Sequence, residues 1–98
     1  MELIVYTNYM KDNTGYLHDV EIPMDYFSYY SGTNKLLVYK EETGFIQLDV
    51  SKIRQITARS EGMYNNSVFF NTKKEVEHLP KDTTREELLK LLIVEGDH

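Results

Sequence analysis

The 98-residue chain has no cysteine, no tryptophan, only two prolines, and five glycines that stand far apart. Without cysteine there is no disulfide scaffold, thiolate zinc site, iron–sulfur cluster or cysteine nucleophile. The scattered glycines form neither a Walker loop nor a Gly-x-Gly-x-x-Gly turn, so phosphate-cradling loops of those kinds are excluded. None of the five serines sits in a Gly-x-Ser-x-Gly elbow. No apolar run approaches the roughly 18–20 residues needed to cross a bilayer. Met1-Glu2-Leu3-Ile4-Val5 lacks the basic start and long apolar stretch of a signal peptide. The expectation is a soluble, cytoplasmic chain forming one domain over residues 1–98, with no membrane partner.

What is present is acidic and rich in tyrosine. Eleven basic side chains stand against 16 acidic ones, a formal charge of −5. Residues 1–50 hold three lysines and eight acids, and therefore the whole of that charge; residues 51–98 hold eight of each. An acidic first half repels nucleic acid and attracts basic partners, although charge of this size also serves solubility. At 41% hydrophobic residues the chain has enough apolar material for a small core and too much for charge-driven disorder.

The apolar pattern reads mostly as strands. Leu3–Met10 is β-branched and aromatic on both faces, which predicts a covered strand. Lys11–Gly15 is a turn by composition, with Gly15 suited to positive φ. Tyr16, His18, Val20 and Ile22 then share one strand face, with Asp19 and Glu21 on the other, completing a first hairpin. Residues 24–31 are ambiguous. Their aromatics favour a strand, but Pro23 before them and Gly32 after them favour a short helix or an irregular aromatic segment. Lys35–Lys40 is a strand, and Glu41–Gly44 is a tight turn with Gly44 left-handed. Phe45–Val50 is a strand with Ile46, Leu48 and Val50 inward. The three-residue spacing of Ile53 and Ile56 predicts a turn or bulge near Ser51. Arg54–Arg59, Ser67–Thr72 and Glu75–Leu79 are further strands, with a loop at Glu61-Gly62 and Asn65-Asn66.

The C-terminal helix has the strongest signals. Thr83 and Glu86 make a capping box, and Asp82, Glu86 and Glu87 favour the positive end of its dipole. Leu88, Leu89, Leu91, Leu92 and Ile93 cover an arc of roughly 200°. That exceeds the apolar stripe of a surface helix, so either a deep groove or a partner covers its flanks. Leu88, Leu91, Leu92 and Val94 are the candidates for self-association into a homo-oligomer.

Catalytic chemistry is poorly represented. His18 and His78 each fall on an apolar strand face and read as hydrogen-bonded core histidines; His98 is terminal. A metal set of His18, Asp19, Glu21 and Asp25 is weakened because His18 and Asp19 point to opposite faces. No catalytic residue, metal or cofactor is expected, and the protein is read as a non-enzyme.

Two surfaces are candidates for binding. Tyr26, Phe27, Tyr29 and Tyr30 crowd into five positions close to Asp19, Glu21 and Asp25. Tyrosine combines apolar area with a hydroxyl at low entropic cost, and acids around it suit a basic partner. With Glu41 and Glu42, the set Asp19, Glu21, Asp25, Tyr26, Tyr29 and Tyr30 is the leading partner-binding face. The second surface is basic: Lys52, Arg54, Arg59, Lys73 and Lys74, near Tyr64, Asn65 and Asn66, offer contacts to phosphates or bases.

The order strand, turn, Ile-x-x-Ile strand, loop, strand, strand, helix over 45–92, carried by Gln47-Leu48-Asp49-Val50-Ser51-Lys52-Ile53-Arg54-Gln55-Ile56, loosely resembles the LytTR class of DNA-binding domains. Pleckstrin-homology-like domains share that order, so it identifies no family. Small acidic proteins with exposed tyrosines are also similar in character to phage and mobile-element inhibitors such as anti-CRISPR proteins, a likeness of composition without a motif.

The expected fold is α+β: an antiparallel, curved or part-barrel sheet of about six or seven strands, with the C-terminal helix packed on it. The expected function is binding another protein with a basic surface, as an inhibitor or regulator. The alternatives are a nucleic-acid-binding regulator and an oligomeric structural subunit assembled through the helix.

Overall fold

The computed structural model describes residues 1–70 and 76–94. Within them lie eight strands in two sheets and one helix. The strands are β1 (Glu2–Lys11), β2 (Leu17–Pro23), β3 (Tyr26–Tyr29), β4 (Lys35–Lys40), β5 (Gly44–Asp49), β6 (Ile53–Ser60), β7 (Met63–Phe69) and β8 (Glu77–Leu79), and the helix is α1 (Arg85–Leu92). The larger sheet runs β2-β1-β6-β7, with β8 pairing parallel to the end of β1; the smaller runs β3-β4-β5. Every other strand pairing among the described residues is antiparallel. The fold is therefore sheet-rich α+β, in two sheets rather than one.

The chain changes sheet at two places for local reasons. β2 ends at Pro23, which has no N–H to continue a ladder. The next residue, Met24, is buried, and its N–H bonds the carbonyl of Met1. The return is made by a 3-10 turn over Val50–Lys52, where the Asp49 carboxylate accepts from the Ser51 N–H at 3.0 Å and its hydroxyl at 2.7 Å. This is the irregularity that the Ile53/Ile56 spacing predicts.

One contiguous core joins both sheets and the helix. Leu3, Val5 and Ile56 come from the larger sheet, Leu36, Val38 and Leu48 from the smaller, and Leu88 and Leu92 from α1. Each such side chain contributes about 1.5–3 kcal/mol on burial. After α1, Ile93 bridges to Leu48, and the Val94 N–H bonds the Gln47 carbonyl at 2.8 Å, so the chain covers the outer edge of β5.

Several sequence expectations are corrected. Residues 26–29 form a strand, not a helix, because Tyr26 to Tyr29 pair residue for residue with β4. The left-handed residue of the first hairpin is Asn13, not Gly15. The loop expected over 61–66 is a two-residue turn at Glu61-Gly62, both at positive φ, followed directly by β7. Asn65 and Asn66 lie inside that strand, where Asn66 at φ 54 accompanies a shift in its register with β6. The helix cap is Thr84 with Glu87, one residue later than Thr83 with Glu86. The Thr83 hydroxyl is already bonded to the Pro80 carbonyl at 2.7 Å, which leaves the next threonine to cap.

Candidate protein-binding face

Strand alternation decides which tyrosines are available. In β3, Tyr26 and Ser28 point outward, and Phe27 and Tyr29 pack against the core. Tyr29 meets Phe70 edge to face at 4.9 Å, so it belongs to the interior side of the sheet. Tyr30 follows the strand in the exposed turn before β4.

The outward face of the smaller sheet carries an aromatic row. Register places Tyr39 beside Tyr26 on one flank and beside Phe45 on the other. The Tyr26 and Tyr39 rings stack at 4.7 Å, and those of Tyr39 and Phe45 lie 4.8 Å apart. Tyr26 remains 49% and Phe45 57% exposed. Rings this close leave no slot between them, so they make a continuous platform rather than a cage.

Acids collect at one end of that platform. Asp25 directly precedes Tyr26, and Glu41 and Glu42 form the β4–β5 turn beside Tyr39 and Phe45. The turn closes with Gly44 at φ +81, a conformation costly for residues with a Cβ. An Asp25 carboxylate oxygen accepts the Glu41 N–H at 2.7 Å, and the Asp25 N–H bonds the Tyr39 carbonyl at 2.7 Å. Asp25, Glu41 and Glu42 form no ion pair among the described residues.

Asp19 and Glu21 lie elsewhere. They project from β2 on the outward face of the larger sheet, opposite Tyr6 and Ile4. There Arg59 binds Glu21 at 2.9 Å and Glu2 at 3.5 Å, and sits over the Tyr64 ring at 5.9 Å. Hydrogen bonding to Tyr64, then to Glu21, raises the guanidinium pKa further. The eight-residue partner face expected from sequence is thus divided. Asp25, Tyr26, Glu41 and Glu42 come together; Asp19 and Glu21 are on another face, Tyr29 packs inward, and Tyr30 stands apart in its turn. Tyr39 and Phe45 complete the platform and were not anticipated. Their signal is the hairpin itself, since its tight turn sets residues 39 and 45 opposite each other.

The basic candidates among the described residues, Lys52, Arg54 and Arg59, are each engaged within the chain. Lys52 donates to the Leu91 carbonyl at 2.8 Å, and Arg54 donates twice to Asn8 Oδ1, at 3.3 and 3.2 Å. Lys73 and Lys74 lie outside the described residues. The helix candidates are similarly committed: Leu88 and Leu92 are buried in the chain's own core, Leu91 is half-buried, and Val94 is at the exposed margin.

The histidines differ from expectation in opposite ways. His78 is exposed rather than buried, 3.5 Å from Asp12. His18 is buried, at 4% exposure, but its Nε2 has no hydrogen-bond partner among the described residues. An unpaired buried polar group costs about 1–3 kcal/mol. Burial, reinforced by Glu77 and Asp49, raises the Tyr9 phenol above its ordinary value. Among the described residues no three His, Asp or Glu gather as a metal set, and no helix is long and apolar enough to cross a membrane. Compared with protein-family models, curated proteins and solved structures, the chain matches none.

Proposed function

We propose that the protein is a non-catalytic binding module that engages a basic segment of another protein across the outward face of β3, β4 and β5. The observation that supports this is the exposed row Tyr26–Tyr39–Phe45 ending in the carboxylates of Asp25, Glu41 and Glu42, which form no ion pair among the described residues. A guanidinium or ammonium group is attracted to an aromatic face within about 6 Å of the ring centre. Acids at the end of the row bring such groups in by long-range attraction and fix their direction of approach. A module of this kind inhibits or regulates its partner by covering a basic surface.

The test is a titration with a short arginine-rich peptide, followed by tyrosine fluorescence, which no tryptophan obscures. Saturable binding is expected in the native protein. Glu41→Lys with Glu42→Lys, and separately Phe45→Ala, should each weaken it about tenfold or more, the scale set by charge-assisted bonds of about 1.5–3 kcal/mol. Equal affinity in all three proteins rejects the face.

A further inference from the structure

The outer edges of the two sheets are blunted in different ways, and one is left open. An open edge offers unpaired N–H and C=O groups to any other strand; short length, charge, proline or a covering segment normally prevents this. β3 has only four residues, β2 carries Asp19 and Glu21 and ends in Pro23, and Ile93 and Val94 cover the edge of β5. β7 runs for seven residues, Met63–Phe69, with no charge and no proline. It pairs with β6, and no strand lies on its outer edge among the described residues. Met63, Tyr64 and Phe69 are 67%, 61% and 73% exposed, so the edge is apolar as well as open.

A bulge in β7 narrows what can pair with it. Between the pairs Ile56–Val68 and Ala58–Asn65, β6 has one residue and β7 has two, Asn66 and Ser67. Asn66 takes φ 54, and such an extra residue bends the strand and interrupts its ladder. A straight peptide strand does not follow both halves of a bent edge. A second copy of β7, antiparallel and related by a two-fold axis between Asn66 and Ser67, brings the same bend to the same place.

The side-chain faces agree with that arrangement. Tyr64, beneath Arg59, and Ser67, whose hydroxyl meets that of Thr57 at 3.0 Å, point outward, and so does Phe69 two residues on. Val68 packs against the core, and Asn65 shares its face opposite Ala58. About such an axis Tyr64 stands opposite Phe69 of the second copy, both outward, and Asn65 opposite Val68, both inward. Residues directly opposed across a ladder share a face, and here both halves satisfy that condition. We propose that two copies of the chain join edge to edge through β7, so that their larger sheets become one. Neither strand carries a charge to oppose this, and Arg59 beside Tyr64 is held by Glu2 and Glu21. An edge this short buries less than the roughly 1,200 Å2 of stable complexes, so the dimer is weak and reversible. The pairing uses a different sheet from the aromatic face and stands or falls separately.

The test is sedimentation equilibrium of the full chain at constant salt, from about 10 μM to about 1 mM. The mass should rise from one protomer to two and stop there. Tyr64→Glu with Phe69→Glu sets like charges opposite each other and should weaken the dimer about tenfold or more. Tyr64→Glu with Phe69→Lys sets opposite charges in the same register and should associate about tenfold more tightly than the first variant. Both positions are exposed, and the amide spectrum reports that each variant is folded. A single protomer at every concentration, a mass that climbs past two, or equal association of the two variants overturns the proposal.

Discussion

The outward faces of the two sheets hold the same kinds of residue and use them differently. On the larger sheet, Arg59 gathers Glu2, Glu21 and Tyr64 around itself, so acids and aromatic are satisfied within the protein. On the smaller sheet, the rings of Tyr26, Tyr39 and Phe45 pack on one another, and the nearby carboxylates form no ion pair among the described residues. The net charge of −5 in the first half of the chain is therefore not spread evenly in its effect. One cation from the second half cancels part of it on the first face, and the second face keeps its share open. Composition alone does not distinguish a neutralised acid from an available one; register does.

The largest expected effect separates the two sides of the smaller sheet. Leu36 is fully buried, so Leu36→Ala should cost about 2–5 kcal/mol in chemical denaturation. Tyr26→Ala, on the outward side, removes an exposed ring and should cost less than about 1.5 kcal/mol, with loss of peptide binding. Comparable losses from the two would mean that the platform is structural. Gly44→Ala should come next, at about 1–2 kcal/mol, because its φ of +81 is strained for alanine although no atom lies within 4 Å of the added Cβ. Peptide affinity should fall with it if the turn positions Glu41 and Glu42. The smallest effect tests the contrast itself. Arg59→Ala frees Glu2 and Glu21 and should add a second, weaker arginine-peptide site, read as a change in stoichiometry by calorimetry. A stoichiometry that stays at one would show that pairing is not what silences the larger sheet.

Much of the fold was legible where pattern and turn chemistry agreed. β4, its turn and β5 follow from alternation and Gly44, and β2 follows from His18, Val20 and Ile22 facing inward. β3 was obscured because Pro23 and Gly32 are helix punctuation, while the pairing that overrides them comes from β4. The cap slipped by one because Thr83 and Thr84 are equivalent until the Pro80 carbonyl selects one. The division into two sheets was not legible at all, since it depends on pairings between distant strands. The candidate face was half legible for the same reason. Asp25, Tyr26, Glu41 and Glu42 are prominent by type, but separating them from Asp19 and Glu21 requires knowing which sheet each strand joins.

The parallel pairing of β8 with β1 also bears on timing. Tyr9, Met10 and Lys11 take as neighbours Glu77, His78 and Leu79, about 70 residues further along. Contacts so distant in sequence demand loop closure before they return any stabilisation, which slows folding. A ribosome adding about 5–20 residues per second makes the end of β1 seconds before its last neighbour exists. During that interval the flank that β8 will occupy is bare backbone, open to any passing strand. A chain halted before residue 77 should therefore aggregate more readily than the finished one, even with both early hairpins in place.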